Sequence, residues 1–170
     1  MSKLTNKSIV ITGATGGIGA AIARALAADG AAITVADLSQ AAADKLAGEI
    51  ATAGGKAIGV AVDVRERAQV RAMLDKAAAA FGRVDVLFNN AGIAQTRPFL
   101  DITEEDWRLV TDVNALGVLI GMQEAVKTFQ RQAASGLGSG GKIVNTASIA
   151  AKQGYEPLAH YCASKFAVVA

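Results

Sequence analysis

The sequence predicts an α/β protein with a doubly wound parallel sheet between two layers of helices. Short apolar segments rich in β-branched residues alternate with longer amphipathic segments along the chain. A parallel strand pair needs a crossover that passes over one face of the sheet, so this alternation puts helices on both faces. The length of 170 residues and the hydrophobic content of 52% suit one domain with a sizeable core.

Each element follows from its local pattern. Five strands are predicted at residues 7–12, 32–36, 57–62, 84–88 and 142–146. Helices are predicted between them at residues 17–29, 40–53, 66–81 and 103–132, and a last helix begins near Pro157. Gly30 is typical of a helix end, whereas Thr103 followed by three acidic residues is typical of a helix start. The glycine- and serine-rich residues 133–141 suggest a flexible surface turn.

Composition excludes several classes of function. The net charge of +2 is small and the basic residues are scattered, so no electrostatic footprint for nucleic acid is present. The single cysteine, Cys162, excludes an internal disulfide framework and is expected to be a small buried residue. The first residues lack a secretory signal, and no apolar run reaches the roughly 18 residues of a membrane span. We therefore expect a soluble, cytoplasmic protein with no membrane partner.

A glycine-rich turn joins the first strand to the first helix. Glycines there permit a tight reversal and let the backbone approach a pyrophosphate, whose charge the helix start favours. A turn that serves geometry alone is the alternative, but the strand before it and the helix after it favour the functional interpretation. The candidate cofactor-binding residues of this turn are Gly13, Thr15, Gly16, Gly17, Ile18 and Gly19.

Asp37 ends the second predicted strand, and its position favours NAD over NADP. A carboxylate there can accept the ribose hydroxyls of NAD and repels the additional phosphate of NADP. Leu38 and Ser39 offer no arginine that could hold this phosphate. A strand-end turn or a cap is the alternative role for Asp37. Asp63, after the third predicted strand, is a candidate for contact with the adenine edge, and helix capping is equally plausible.

Tyr161 and Lys165 form the candidate catalytic pair. They are four residues apart, so they share one face of a helix, where a lysine ammonium favours the phenolate form of a tyrosine. Such a phenol can exchange a proton with an alcohol or a carbonyl. Ser148 follows the fifth predicted strand, at the edge where ligands bind in doubly wound sheets, and it can hold the substrate oxygen. Taken singly, each of these residues is more often structural.

These segments together resemble the short-chain dehydrogenase/reductase family, in its ordinary, non-extended branch with a Rossmann fold. The resemblance is carried by TGATGGIG at residues 12–19, Asp63 and Val64, NNAG at residues 89–92, Asn114, Ser148, and YCASK at residues 161–165. It implies that Asn114 distorts its helix and positions a water that links Lys165 to solvent. It also implies that Val64, Asn90, Ala91 and Gly92 line the cofactor pocket, and that Lys165 touches the nicotinamide ribose as well as Tyr161.

The resemblance further implies residues beyond Ala170, namely the rest of the last helix, a sixth strand, a substrate loop and a seventh strand. We therefore expect residues 1–170 to be the incomplete N-terminal part of one dinucleotide-binding domain. As a free polypeptide this part is expected to be poorly stable and inactive. For the longer parent, the resemblance also implies that the helix from Thr103 and the last helix pair between subunits, and we expect a homotetramer.

The favoured function is an NAD-dependent oxidoreductase for a small secondary alcohol, polyol or hydroxy ketone, because residues 161–169 resemble polyol and acetoin or butanediol dehydrogenases. Residues 94–96 and 155–157 flank the expected substrate pocket. A reductase for 3-oxoacyl thioesters is one alternative, and a non-catalytic dinucleotide-binding module or redox sensor is another. The intact candidate catalytic residues argue against the module. His160 lacks clustered ligand residues, so we expect no metal site, and Phe99 and Trp107 are expected to be packing residues.

Overall fold

The computed structural model describes residues 4–138 and 140–170, and it confirms a parallel sheet with helices on both faces. The strands are β1 (Ser8–Thr12), β2 (Ala32–Asp37), β3 (Lys56–Ala61), β4 (Val86–Asn89) and β5 (Lys142–Asn145). The helices are α1 (Gly17–Ala28), α2 (Gln40–Thr52), α3 (Arg67–Phe81), α4 (Glu104–Thr111), α5 (Gly117–Ala134) and α6 (Ala159–Val169). Met1, Ser2, Lys3 and Ser139 lie outside the described residues, so the N-terminal and 133–141 interpretations are only partly tested.

The strand order is β3-β2-β1-β4-β5, and every neighbouring pair is parallel. Ile11 in β1 pairs with Val35 in β2 on one side and with Phe88 in β4 on the other. The chain therefore winds outward from β1 in one direction and then returns to wind in the other. This reversal opens a crevice at the carboxyl ends of β1 and β4, which is where ligands bind in such sheets.

One apolar core lies on each face of the sheet. Ile9, Ile11 and Ile33 pack with residues of α1 and α2, whereas Val10 and Leu87 point to the opposite face and pack with residues of α3 and α5. Successive side chains of a strand point to opposite faces, so a strand buried on both faces is apolar throughout. β1 is covered on both faces in this way, since all five of its residues are buried.

The predicted fourth strand begins two residues too early, because the backbone of Val84 is paired with a side chain. The Val84 N–H donates to Gln132 Oε1 at 2.7 Å, and Gln132 Nε2 donates to the Val84 carbonyl at 2.8 Å. Both groups are buried, and the amide satisfies the polar atoms that a neighbouring strand otherwise would. Gln132 thus links the end of α5 to the start of the β4 segment.

The predicted helix at residues 103–132 is present but irregular. Thr103 and Asp106 form a capping box at its start, as the sequence pattern indicates. Between α4 and α5 the helix widens into a π-helical turn at Asp112–Leu116, which contains Asn114. Such turns occur mostly as single insertions in α-helices and often at functional sites. Pro157 lies in a 3-10 turn that precedes α6.

The expectation that no apolar segment reaches the length of a membrane span is wrong for Glu104–Ala134. This continuous helix is long and apolar enough to cross a membrane by length and composition, and among the described residues it is the one such helix. Of its apolar stretch, 44% is buried inside the protein. Its length alone is therefore weak evidence for a membrane.

Two residues expected to pack in the interior are instead exposed. Phe99 has 59% and Trp107 has 48% of its surface accessible, because both belong to the outer face of the segment around the start of α4. Cys162, by contrast, is buried as expected. Apolar character alone therefore did not separate interior from exterior here.

A buried carboxylate joins α3 to α5. Glu124 is 1% exposed and accepts hydrogen bonds from Arg67 Nη1 at 2.9 Å, Arg71 Nε at 3.2 Å and Lys127 Nζ at 2.7 Å. The hydrogen bond from Lys127, opposed by burial and aided by the two arginines, lowers the pKa of Glu124 to about 2. The charged form is therefore the one that the folded protein stabilises.

We expect Glu124→Gln to lower the free energy of unfolding by about 2 kcal/mol at neutral pH, because it removes a paired buried charge. Since the pKa of Glu124 is lowered, its stabilisation is present above about pH 4.5, the ordinary value, and is lost as the pH falls to about 2. Urea unfolding at a series of pH values should show the two stability curves converging in this interval. The exposed Glu104, paired with Arg108, provides the control Glu104→Gln, which should stay within about 0.5 kcal/mol. Parallel curves for Glu124→Gln and wild type would contradict the assignment.

The glycine-rich turn between β1 and α1 is crowded at Gly13 and Gly19 and open at Gly17. Gly13 has a φ of 61°, and a Cβ built there would lie 2.7 Å from Ala91 Cα. A Cβ on Gly19 would collide with the carbonyl oxygen of Gly13 and lie 2.8 Å from Ala14 Cα. A Cβ on Gly17 would meet no heavy atom within 4 Å. The turn therefore needs glycine for close backbone approach at some positions only.

Gly19→Ala should destabilise the protein by about 2 kcal/mol or more, because the methyl group meets backbone atoms that cannot rotate away. Gly17→Ala is the matched control, in the same turn, and should leave stability unchanged or slightly raised, since alanine favours a helix. Thermal unfolding of the two variants checks both expectations. Equal midpoints for the two variants would show that the turn is not packed in this way.

Candidate active site

A cleft of about 810 Å³ opens at the carboxyl ends of β1 and β4. Its lining includes almost all of the predicted site residues: Gly13, Thr15, Gly16, Gly17, Ile18, Gly19, Asp37, Asp63, Val64, Asn90, Ala91, Gly92, Ser148, Tyr161 and Lys165. Asn114 is the exception, since it is fully buried behind the cleft wall. The fold therefore brings together residues that are up to 152 positions apart in sequence, from Gly13 to Lys165.

Asp37 lies at one end of the cleft and is held by the glycine-rich turn. Its Oδ2 accepts hydrogen bonds from Thr15 Oγ1 at 2.6 Å and from Thr15 N at 3.0 Å, and its Oδ1 accepts one from Leu38 N at 2.8 Å. Three donors thus fix the orientation of the carboxylate. The alternative roles of turn and cleft residue are combined here, because the same side chain closes the turn and lines the cleft.

Asp63 pairs with Arg65 at the same end. Asp63 Oδ2 lies 2.6 Å from Arg65 Nη2, and Asp63 Oδ1 also accepts from the Arg65 N–H. The hydrogen bonds from the Arg65 side chain are the main cause of the lowered pKa of Asp63. Next to it, Val64 packs against α5, where a Cβ on Gly117 would lie 2.8 Å from Val64 Cγ2. In this structure the Asp63 carboxylate closes the turn before α3.

The floor of the cleft is a pair of turns bound to each other. Thr12 Oγ1 accepts from the N–H groups of Asn90 and Ala91, each at 3.1 Å. Asn90 Nδ2 donates in return to the carbonyls of Thr12 and Gly13, each at 3.1 Å. These reciprocal hydrogen bonds satisfy backbone polar groups at and just beyond the ends of β1 and β4. It also brings Gly13 and Ala91 into direct contact.

Tyr161 and Lys165 lie at the other end, on α6. Lys165 Nζ is 5.8 Å from the centre of the Tyr161 ring, and both side chains face the same cleft. Lys165 Nζ donates to the carbonyl of Thr146, beyond the end of β5, at 2.8 Å. The helical spacing of four residues therefore leads to the shared face that the sequence indicates.

Lys165 is 4% exposed, and burial lowers its pKa. An ammonium that leaves water loses hydration, so the neutral amine becomes relatively more stable. The Thr146 carbonyl provides one acceptor for the buried group. Lys165 is thus a cationic side chain that releases a proton more readily than a lysine in water.

Ser148 lines the same cleft as Tyr161 and Lys165, whereas Asn114 is buried and does not line it. Ser148 Oγ caps the 3-10 turn Ile149–Ala151 by accepting from Ala150 N at 3.1 Å, and Ser148 also lines the cleft. Asn114 Oδ1 accepts from Ile93 N at 2.8 Å, and its Nδ2 donates to the Ile93 carbonyl at 2.9 Å and to Ser164 Oγ at 3.0 Å. The catalytic roles of these residues stay predictions.

Sequence reasoning missed several residues of the site. Thr146 and Ile93 provide backbone groups to Lys165 and Asn114, and Ser164 is bonded to Asn114. Further lining residues without an earlier assignment are Leu38, Val62, Arg65, Ile93, Leu109, Val113, Thr146 and Ala147. The rule that ligands bind at the carboxyl ends of strands could have indicated Thr146, whereas contacts across the fold left no local signal.

The residues expected to flank the substrate make structural hydrogen bonds, and their role beside a substrate stays a prediction. Of the 94–96 and 155–157 segments, only Ala94 lines the cleft. Glu156 Oε1 accepts from Phe99 N at 2.6 Å, and the Pro157 carbonyl accepts from Arg97 N at 2.9 Å. These bonds tie Glu156 and Pro157 to residues 97–99, which directly follow the 94–96 segment.

His160 is fully buried next to Tyr161, and among the described residues neither of its ring nitrogens has a hydrogen-bond partner. No group of three or more His, Cys, Asp or Glu side chains in residues 4–138 and 140–170 could hold a metal ion. The described part of the site is therefore built from hydroxyl, amide, ammonium and carboxylate groups.

The chain is similar to known proteins over nearly all of its length. L-2,3-butanediol dehydrogenase of Corynebacterium glutamicum is 44% identical over 167 residues, which cover 96% of this chain and 62% of that protein. D-threitol dehydrogenase of Mycolicibacterium smegmatis is 41% identical over 167 residues, covering 98% and 62%. The crystal structure of a short chain dehydrogenase from Mycobacterium avium matches with a TM-score of 0.93 at 33% identity, covering 99% of this chain and 61% of that chain.

The chain thus spans about 62% of the length of these curated relatives. The family model for short chain dehydrogenases matches residues 7–170, which include the glycine-rich turn, the crevice and α6. The relatives named above are similar to this chain over nearly all of its length. On these grounds the chain belongs to the short-chain dehydrogenase family.

Proposed function

We propose that the protein containing this chain is an NAD-dependent oxidoreductase that interconverts a small secondary alcohol or polyol and the matching ketone. The observation that carries this proposal is the layout of one cleft. Its glycine-rich turn and Asp37 lie at one end, and Tyr161 and Lys165 lie at the other. Such a cleft suits a dinucleotide at one end and proton transfer at the other.

The residues present fit a dinucleotide. The first N–H groups of α1 have no acceptor within the helix and lie at the cleft, so they suit a pyrophosphate. Gly13 and Gly19 leave no room for a Cβ, which keeps the backbone of the turn tightly folded beneath it. When bound, the nicotinamide supplies the two-electron redox chemistry of the reaction.

Asp37 is proposed to select NAD. Its carboxylate is held by Thr15 and Leu38, and a negative charge at this place accepts ribose hydroxyls and disfavours a 2′-phosphate. Among the cationic residues that line the cleft, Arg65 is the one nearest to Asp37 in sequence. Its guanidinium is already paired with Asp63. The charge balance at this end thus supports NAD.

Tyr161 is proposed to be the general acid or base. In oxidation its deprotonated phenolate oxygen takes the proton of the substrate alcohol, and in reduction its O–H gives a proton to the carbonyl oxygen. Ser148 Oγ holds the same substrate oxygen. Lys165 lies beside the Tyr161 ring, and burial lowers its pKa. It is proposed to pass protons between Tyr161 and the side of the site where Asn114 lies.

The substrate class rests on the relatives and on the lining of the cleft. Butanediol and threitol, named for the relatives' activities, are small molecules with neighbouring hydroxyl groups. Ile93, Ala94, Leu109 and Val113 give this part of the lining an apolar character that suits a small carbon skeleton. We therefore favour a vicinal diol, polyol or hydroxy ketone over a 3-oxoacyl thioester.

The other properties are proposals of the same kind. We propose a soluble cytoplasmic protein, because 44% of the apolar stretch of its one long apolar helix is buried within the described fold. Because the relatives are longer, the activity is assigned to a full-length protein, and residues 1–170 alone are proposed to be inactive. Assembly into a homo-oligomer, expected to be a tetramer, belongs to the same proposal.

We expect the full-length protein to reduce NAD with a panel of vicinal diols and polyols, and Tyr161→Phe to lower kcat by about a hundredfold or more. The variant removes only the hydroxyl that exchanges the proton, so its affinity for NAD should stay within about threefold of wild type. Absorbance of NADH and calorimetric titration with NAD measure the two quantities. NAD binding without turnover of any substrate by wild type would support the dinucleotide-binding module instead, and full activity of Tyr161→Phe would refute the assigned role.

Asp37→Asn should lower the preference for NAD over NADP, measured as the ratio of kcat/KM values, by about tenfold, because the repelling charge is removed at nearly constant shape. Asp29→Asn removes an exposed carboxylate at the end of α1 and should leave the ratio unchanged. An unchanged ratio in Asp37→Asn would assign the discrimination to other residues. A wild type that prefers NADP would favour the thioester reductase alternative.

A further inference from the structure

We propose that Ser164 is a positioning residue that sets the placement of Tyr161 and Lys165, an inference that rests on the proposed function. Ser164 lies in α6 between these two residues, and it is 1% exposed. It does not line the cleft, so a direct contact with substrate is not what it provides. Its contacts lie on the inner side of the site.

The Ser164 hydroxyl connects two segments. Ser164 Oγ donates to the backbone carbonyl of Tyr161 at 2.7 Å and accepts from Asn114 Nδ2 at 3.0 Å. The same hydroxyl thus donates its hydrogen to the peptide carbonyl of the proposed acid–base residue and accepts a hydrogen from a side chain of the π-helical turn. The bond to Asn114 spans 50 residues of sequence.

Asn114 has little freedom to form this bond elsewhere. The second hydrogen of Nδ2 is donated to the Ile93 carbonyl, and Oδ1 accepts from Ile93 N. The amide is fully buried, so both of its donor hydrogens are committed to protein acceptors. Ile93 follows Gly92, which lies close to both Asn114 and Lys165: a Cβ there would be 3.2 Å from Asn114 Oδ1 and 3.4 Å from Lys165 Nζ.

Two hydrogen bonds link α6 to the sheet end. Lys165 Nζ is bound to the Thr146 carbonyl after β5, and Ser164 Oγ is bound through Asn114 to the segment after β4. Proton transfer by Tyr161 depends on its oxygen lying within hydrogen-bond reach of the substrate. A displacement near one ångström at such a site lowers turnover strongly.

Removing the Ser164 hydroxyl leaves one N–H of Asn114 buried without its acceptor. A buried unpaired donor is costly, so the π-helical turn and α6 are expected to move relative to each other. Most of the residues proposed to hold the dinucleotide belong to the glycine-rich turn and the end of β2, and the hydrogen bonds that hold these residues do not include the Ser164–Asn114 bond. Catalysis and NAD binding should therefore respond differently.

The test compares Ser164→Ala with Thr128→Ala in the full-length protein. Thr128 is the matched control, because its buried hydroxyl also donates to a carbonyl of its own helix, that of Glu124, at 2.9 Å. Ser164→Ala should lower kcat about tenfold while KM and the dissociation constant of NAD stay within about twofold. Thr128→Ala should leave kcat unchanged. Turnover is expressed per equivalent of bound NAD, so loss of folded protein does not count as loss of catalysis.

A double variant with Asn114→Ala distinguishes positioning through Asn114 from an independent effect. If Ser164 acts through this amide, the double variant has the same kcat as Asn114→Ala alone. The proposal for Ser164 is overturned if the losses of kcat in the double variant multiply, or if Ser164→Ala has a normal kcat. In both cases, turnover by the wild type leaves the proposed function intact. Absence of NAD-linked turnover in wild type rejects the proposed function itself.

Discussion

The site depends on the mutual binding of two turns at the point where the strand order reverses. Thr12 and Asn90 exchange hydrogen bonds between side chain and backbone, and Gly13 lies against Ala91. These bonds hold the ends of β1 and β4 at a fixed separation while the glycine turn leads into α1. The crevice and the position of the α1 N-terminus both follow from this contact, because neither turn can move without breaking buried hydrogen bonds.

The reactive end is anchored by different means. Tyr161, Ser164 and Lys165 come from one helix, and α6 meets the sheet end through the Lys165–Thr146 and Ser164–Asn114 bonds. The π-helical turn brings Asn114 to a place from which its amide reaches both Ile93 and Ser164. A regular helix in this segment would turn its side chains to other directions, so the irregularity is part of how the site is held.

Much of this fold could be predicted from the sequence, because β-branched runs, glycine ends and the Thr103 cap are local signals. The start of β4 could not, since Gln132 replaces strand pairing at Val84 across 48 residues of chain. The lining residues at the glycine turn and at Tyr161 and Lys165 were predictable from spacing and from the family resemblance. Ile93 and Ser164 were not, because each acts through a hydrogen bond between distant segments. The exposure of Trp107 could not be predicted either, because it depends on which segments contact the outer face of α4.

The two ends of the cleft also differ in how far they constrain a ligand. At the glycine turn, close backbone contacts and the three hydrogen bonds to Asp37 leave little room for variation. At the other end, Ala94, Leu109 and Val113 offer apolar side chains beside the polar groups of Ser148 and Tyr161. An apolar wall discriminates weakly between small carbon skeletons, whereas buried polar groups discriminate strongly against a ligand that leaves them unpaired. For the proposed diol and polyol substrates, hydroxyl placement relative to Ser148 and Tyr161 is therefore expected to matter more than chain length.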